Sequence, residues 1–169
     1  MDVQEERRWR NELYLGPETP LAPEARKAFQ GLRWWPVDPR FRVPARLLRH
    51  REPLPGRVGA TGADAVAMLE IGALEFSLLG LPARLFVYEP APGEVDETYY
   101  LVPFRDATSG QETYGGGRYL DLEPGADAFE LDFNRAYHPY CAYDDAWACT
   151  MPPPENRLPV RVEAGERLP

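Results

Sequence analysis

Hydrophobic positions recur at two different spacings along this chain, and the change of spacing divides it. In residues 2–14, Val3, Trp9 and Leu13 stand among charges, with Trp9 and Leu13 one turn apart, which predicts a short amphipathic helix. Gly16-Pro17 stops it. LAPEARKAFQGL predicts a second helix, with Pro23 in the first turn, where its missing N–H costs nothing. Glu24 lies near the positive end of that helix dipole, and Gly31 is placed as a left-handed cap. From Phe41 the period becomes two: Phe41, Val43, Ala45 and Leu47 alternate with Arg40, Arg42, Pro44 and Arg46, a strand with a basic outer face. Pro44 has no donor, so that strand belongs at an edge or turns the position to solvent.

Arg51 to Ala63 reads as a Pro- and Gly-rich loop. Four strand-like runs follow, AVAMLEI, ALEFSLLG, ARLFVYEP and TYYLVPF, separated by Gly72, by Gly80-Leu81-Pro82 and by PAPGEVDE. DATSG is a turn by composition, GRYLDL and FELDFN are strands joined by EPGADA, and LPVRVEAGE supplies a closing strand with Val160 and Val162 on one face. Short strands at such intervals mark an antiparallel sandwich or barrel, and no helical period between them supports a doubly wound parallel sheet. The expected fold is therefore mainly β, an antiparallel sandwich or partly open barrel with two short N-terminal helices. A helical annex over 1–31 precedes the β domain over 32–169. Trp34 and Trp35 are expected to cover the sheet.

Composition narrows the function classes. A chain of 169 residues supports one sizeable core, and 44% hydrophobic with 12% aromatic residues excludes a disordered chain. The 19 prolines and 14 glycines agree with many turns. The net charge of −8 is unevenly spread, because residues 26–57 hold nine basic and two acidic side chains against an acidic remainder. Such a segment is expected to dock on the chain's own carboxylates rather than on nucleic acid, for which no recognised module is present. Its N-terminus has no apolar core after the charges and no run of about 18 apolar residues occurs, so neither secretion nor membrane insertion is expected. A cytoplasmic address follows, with Cys141 and Cys149 as reduced thiols.

Candidate chemistry gathers between Glu112 and Tyr143. Gly115, Gly116 and Gly117 permit close approach of a ligand to the backbone or form an anion-binding nest, and equally a hairpin turn or bulge. Arg118 adds a planar fork for a carboxylate or phosphate. Glu112, Asp121 and Asp132 are acid–base candidates if two converge, and otherwise ion-pair partners of Arg118 or Arg135. Asp132 and Asn134 share parity on FELDFN and would project from one face beside Tyr137, Tyr140 and Tyr143, lining a pocket or bonding the loop backbone. His138 and Cys141 invite a thiolate reading, against which Cys141 is a small buried residue. No zinc-ligand spacing includes His138, Cys141 and Cys149. Glu155-Asn156, after three prolines, reads as a strap pinned across the sheet.

With YGGGRYLDL, LDFNRAYHPYCAY and MPPPEN, preceded by GLRWWPVDPRFRVPAR, LEFSLLG and LVPFRDATSGQETYGGGRYLDL, the chain resembles a bacterial and archaeal family catalogued as domain of unknown function number sixteen eighty-four. The resemblance runs from about Phe29 onward. It implies no activity, cofactor or partner, and groups these residues without assigning roles. His138 departs from it, since the family pattern commonly has asparagine there.

The expected function is binding of a small polar or anionic molecule near Gly116, Arg118, Tyr119, Asp132, Asn134, Tyr137 and Tyr140, with no cofactor and no metal. Two readings stand beside it: a hydrolase or lyase acting through Glu112, Asp132 or Cys141, and a protein-interaction module using the tyrosine-rich loop. All three require the glycine turn and the tyrosine-rich bend to face one hollow.

Overall fold

The computed structural model describes residues 1–56, 58–60 and 64–169. In chain order its elements are α1 (Val3–Leu15), α2 (Pro23–Ala28), β1 (Arg33–Trp34), β2 (Arg42–Pro55), β3 (Gly59–Ala60), β4 (Met68–Leu78), β5 (Leu81–Pro90), β6 (Tyr100–Phe104), β7 (Arg118–Leu122), β8 (Ala128–Asp132), β9 (Thr150–Met151) and β10 (Glu166–Arg167). Six of these strands form one antiparallel sheet in the order β7-β6-β5-β4-β2-β8, curled into a half-barrel. The partly open barrel expected from the alternation is therefore the fold. No helix among the described residues is long and apolar enough to cross a membrane.

One face of the sheet holds the core. Leu74, Phe76 and Leu78 of β4, Leu85 and Val87 of β5, Val102 and Phe104 of β6, Leu120 of β7 and Leu131 of β8 pack into one cluster. Each fully buried side chain of this kind contributes roughly 1.5–3 kcal/mol of transfer free energy. A smaller cluster of Met68, Tyr88, Leu101 and Tyr119 lies apart from it, with Tyr99 and Tyr137 packed against it.

Several elements depart from their expected form. AVAMLEI and ALEFSLLG are one strand, because Gly72 lets β4 pass a bulge instead of ending it. Its φ is 158° and a Cβ there would strike the backbone of Leu48 and Arg49 on β2. Strand β2 runs on to Pro55, into the stretch read as a loop, while 57 and 61–63 of that stretch lie outside the described residues. Pro44 is exposed and registers with Glu130 of β8 alone, before pairing with β4 begins at Ala45. Helix α1 is closed by a capping box, with Asp2 accepting from the Glu5 N–H and the Glu5 carboxylate from the Asp2 N–H. It buries Val3, Arg7 and Tyr14, not the expected Trp9. The reason is that α1 docks on backbone carbonyls: the Arg7 guanidinium donates to Trp35 O and Asn134 O, 2.9 Å each, and lies 4.9 Å over the Trp34 ring.

LPVRVEAGE is not a closing strand. Leu158, Val162 and Ala164 join the sheet's core cluster, and only Glu166–Arg167 pairs, with β1. The preceding PPPEN segment does form the expected strap. Strands β5 and β6 pair only at Tyr88 and Leu101, and Asn156 spans them beyond that point. Its amide accepts from the Phe86 N–H at 2.8 Å and donates to Phe86 O at 2.9 Å and Pro103 O at 2.8 Å. A side chain thus supplies the ladder that the strands leave open.

Candidate functional site

A cleft of about 990 Å³ opens where α1 and the bend after β8 cross β6 and β7. Its walls carry Trp9 and Arg10 of α1, Tyr99 and Leu101 of the β6 segment, Tyr119 and Asp121 of β7, Tyr137 and Tyr140 of the bend, and Cys149. Register explains why these residues meet. Leu101 faces Asp121 across β6–β7, and Tyr119 exchanges two backbone hydrogen bonds with Tyr137 at 2.8 and 3.1 Å. The Tyr119 and Tyr137 rings stack edge-on, 5.7 Å between centroids.

Asp121 is the polar centre of the cleft. Both of its oxygens accept from the Tyr137 hydroxyl, at 2.9 and 2.8 Å, and the Arg10 guanidinium lies 3.9 Å away. The side chain is open to the cavity but ringed by protein, and this burial raises its carboxyl above the usual range, against the opposing pull of the Tyr137 hydrogen bond and Arg10. Burial and the Asp121 charge push the Tyr137 phenol well up. Arg10 lies 3.6 Å over the Tyr137 ring and 3.4 Å from Glu6, which also pairs with Arg135. A hydrogen bond to the Cys141 thiol and burial raise the Cys149 thiol, so sulfur meets the cleft as S–H rather than thiolate. Among the described residues no three His, Cys, Asp or Glu side chains gather as metal ligands would.

The remaining expected site residues lie elsewhere. Arg118 is fully buried, donating to Ala164 O, Glu166 O, Val162 O and the Asp106 carboxylate, so its fork holds the chain's own C-terminal segment. Asn134 is also buried and ties Asp38 through its N–H and C=O, 2.9 Å each. Asp132 accepts from the Asn134 N–H at the start of a 3₁₀ turn and pairs with Arg42 at 3.0 Å. This turn ends β8 at Asp132, which is why Asp132 and Asn134 bond each other instead of projecting side by side. Glu112 pairs with Arg161, which holds its carboxyl low. Gly117 takes a φ of 97°, and a Cβ on Gly116 would strike the Tyr114 ring, so the glycine run shapes a turn. Cys141 is buried, and both ring nitrogens of His138 are engaged, Nδ1 with Glu166 at 3.1 Å and Nε2 with the Tyr114 N–H at 3.2 Å. The glycine turn and the tyrosine bend therefore touch, but only the tyrosines reach the cleft.

Of the residues expected at a site, Tyr119, Tyr137 and Tyr140 line the cleft. Glu6, Trp9, Arg10, Tyr99, Glu97 and Glu123 line it too and were not anticipated. Among these, Glu6 and Arg10 left a signal in their spacing of one turn in the first helix.

Fold and cleft together define a small antiparallel β domain with a tyrosine-walled cleft beside its half-barrel sheet. The chain belongs to the family described as Protein of unknown function (DUF1684), which matches residues 27–167. It is similar to an uncharacterized protein of Haloarcula marismortui solved by solution NMR, with 38% identity over 98% of this chain and 92% of that one and a TM-score of 0.78. No curated protein matches it.

Proposed function

We propose that the protein binds a small polar molecule in the cleft between α1, the β6–β7 pair and the tyrosine bend. One observation carries the reading: a hollow of about 990 Å³ whose walls combine tyrosine rings with the Asp121 carboxylate and the Arg10 guanidinium. Ligand sites are concavities of roughly 300–1,000 Å³ with apolar walls and a few placed polar groups, and this cleft fits that description at its upper end. The hydrolase or lyase alternative has less support, because Glu112, Asp132 and Cys141 all lie outside the cleft and each is engaged or buried. A protein-contact role for the loop draws only on the exposed edge-stacked pair Tyr140 and Trp147. The two free thiols fit a reducing, cytoplasmic compartment.

The test is thermal shift of the wild-type protein and of Trp9→Ala against a metabolite library. Trp9 is half-exposed at the cleft wall, so its removal leaves folding intact. Hits that stabilise wild type and lose most of that effect in Trp9→Ala support the reading. Hits that stabilise both equally, or none at all, overturn it.

A further inference from the structure

The charge balance of the cleft points to a class of ligand, an inference that rests on the binding function proposed above. Five carboxylate side chains line the cleft, those of Glu6, Glu97, Asp121, Glu123 and Glu130, against the two guanidiniums of Arg10 and Arg135. Both guanidiniums are committed within the chain. Arg10 pairs with Glu6 and leans on Asp121, while Arg135 pairs with Glu6 and donates to Met1 O at 2.9 Å. Glu130 is matched by Arg42 at 3.5 Å. Glu97 and Glu123 are exposed and make no ion pair among the described residues. The register of Tyr100 with Leu122 brings residues 97–99 alongside Glu123 at the end of β7, with Asp121 one step inward. Tyr99 stands among them, its phenol raised by burial and by the Asp121 charge.

An uncommitted anion would meet this surplus of negative charge with no free guanidinium to receive it. A cation meets carboxylates and aromatic faces, the combination that holds ammonium groups. The cleft already holds one cation in this manner. Arg10 lies 3.6 Å over the Tyr137 ring with Glu6 and Asp121 at its edges, so carboxylate-flanked aromatic faces in this hollow do accommodate a planar positive group.

We propose that the cleft takes an organic cation, an ammonium or guanidinium group on a small carbon skeleton, with its charge toward Glu97, Glu123 and Asp121 and its carbon against Tyr99 and Trp9. The charged head sits at the β6–β7 end, where the unpaired carboxylates are, and leaves the Arg10–Tyr137 contact undisturbed.

Titration calorimetry tests this with choline, agmatine and spermidine as cations, 3,3-dimethylbutanol as the uncharged isostere of choline, and citrate as an anion. Each is run on wild type and on Glu97→Gln/Glu123→Gln, whose two positions are exposed and whose substitutions keep shape. The expected result is that at least one cation binds, that it binds at least about tenfold more weakly to the double variant, and that citrate and the isostere bind at least about tenfold more weakly than the cation. If citrate or the isostere binds as well as the cations, or the double variant binds the cation unchanged, the cation assignment falls while the cleft remains a binding site. If none of the three cations binds but an uncharged or anionic library compound gives a Trp9-dependent shift, the assignment again falls alone. If no compound of any class binds, both proposals fall.

Discussion

Arg118 illustrates how one side chain can read as a ligand fork and serve as a tie. Its position after three glycines offers every feature of an anion clamp, yet its guanidinium is spent on three carbonyls of residues 162–166 and on Asp106. Burial lowers its pKa and the Asp106 charge opposes that shift, and the two side chains face each other as a buried ion pair at 3.4 Å. Removing one partner strands the other. Arg118→Ala is expected to cost about 3–5 kcal/mol of stability, read by urea unfolding, with no loss of ligand affinity per folded molecule. A variant of near wild-type stability would show that the tie is unimportant. The sequence offered Glu112, Asp121 and Asp132 as partners for this arginine. Asp106 was hidden because a turn such as DATSG accounts for its own aspartate, and only the tertiary fold reveals that the Asp106 carboxylate also accepts the Val162 N–H at 2.6 Å.

At the scale of elements, alternation made the strands legible, since a period of two survives wherever one face of a sheet is buried. Ends and interruptions were harder. Gly72 carries the same signal whether a strand stops or passes a bulge, and β8 turns at Asp132 without any glycine or proline to announce it. The strap at Asn156 was visible because three prolines forbid a ladder partner, although the seam it fills was not. Asn156→Ala removes the three hydrogen bonds that its amide makes to the Phe86 N–H and to the carbonyls of Phe86 and Pro103, beside a β5–β6 pairing of a single residue pair. The expected loss is about 2–4 kcal/mol by urea unfolding, together with faster amide exchange at Phe86. Asn156→Asp keeps the shape but has no donor at neutral pH, and is expected to fall at or below Ala. An aspartate variant as stable as wild type would refute the seam-filling role.

For the whole molecule, at least four of the nine basic side chains over 26–57 pair with carboxylates of the chain: Lys27 with Glu24, Arg40 with Asp38, Arg42 with Asp132 and Arg49 with Asp127. The cleft was only half legible, because its tyrosines sit in one stretch while α1 and residues 97–99 are far away in the chain. Burial raises at least six phenols, those of Tyr14, Tyr99, Tyr114, Tyr119, Tyr137 and Tyr143, with Tyr114 pushed up to about 12. A phenol whose folded value is raised keeps its proton in the native state and loses it on unfolding. Its contribution is therefore complete below the unfolded value of about 10 and is lost as pH rises through the folded value. On a jump to about pH 11, tyrosinate absorbance is expected to stop well short of nine phenols and to reach the full signal only as tryptophan fluorescence reports unfolding. A full signal ahead of unfolding would contradict the buried placement of these rings. Lastly, the carbonyls that satisfy Arg118 belong to residues 162–166, so a truncated form ending at residue 157 carries an interior charge with Asp106 as its remaining partner. Such a truncated form should stay open to protease under conditions where the 169-residue chain resists it.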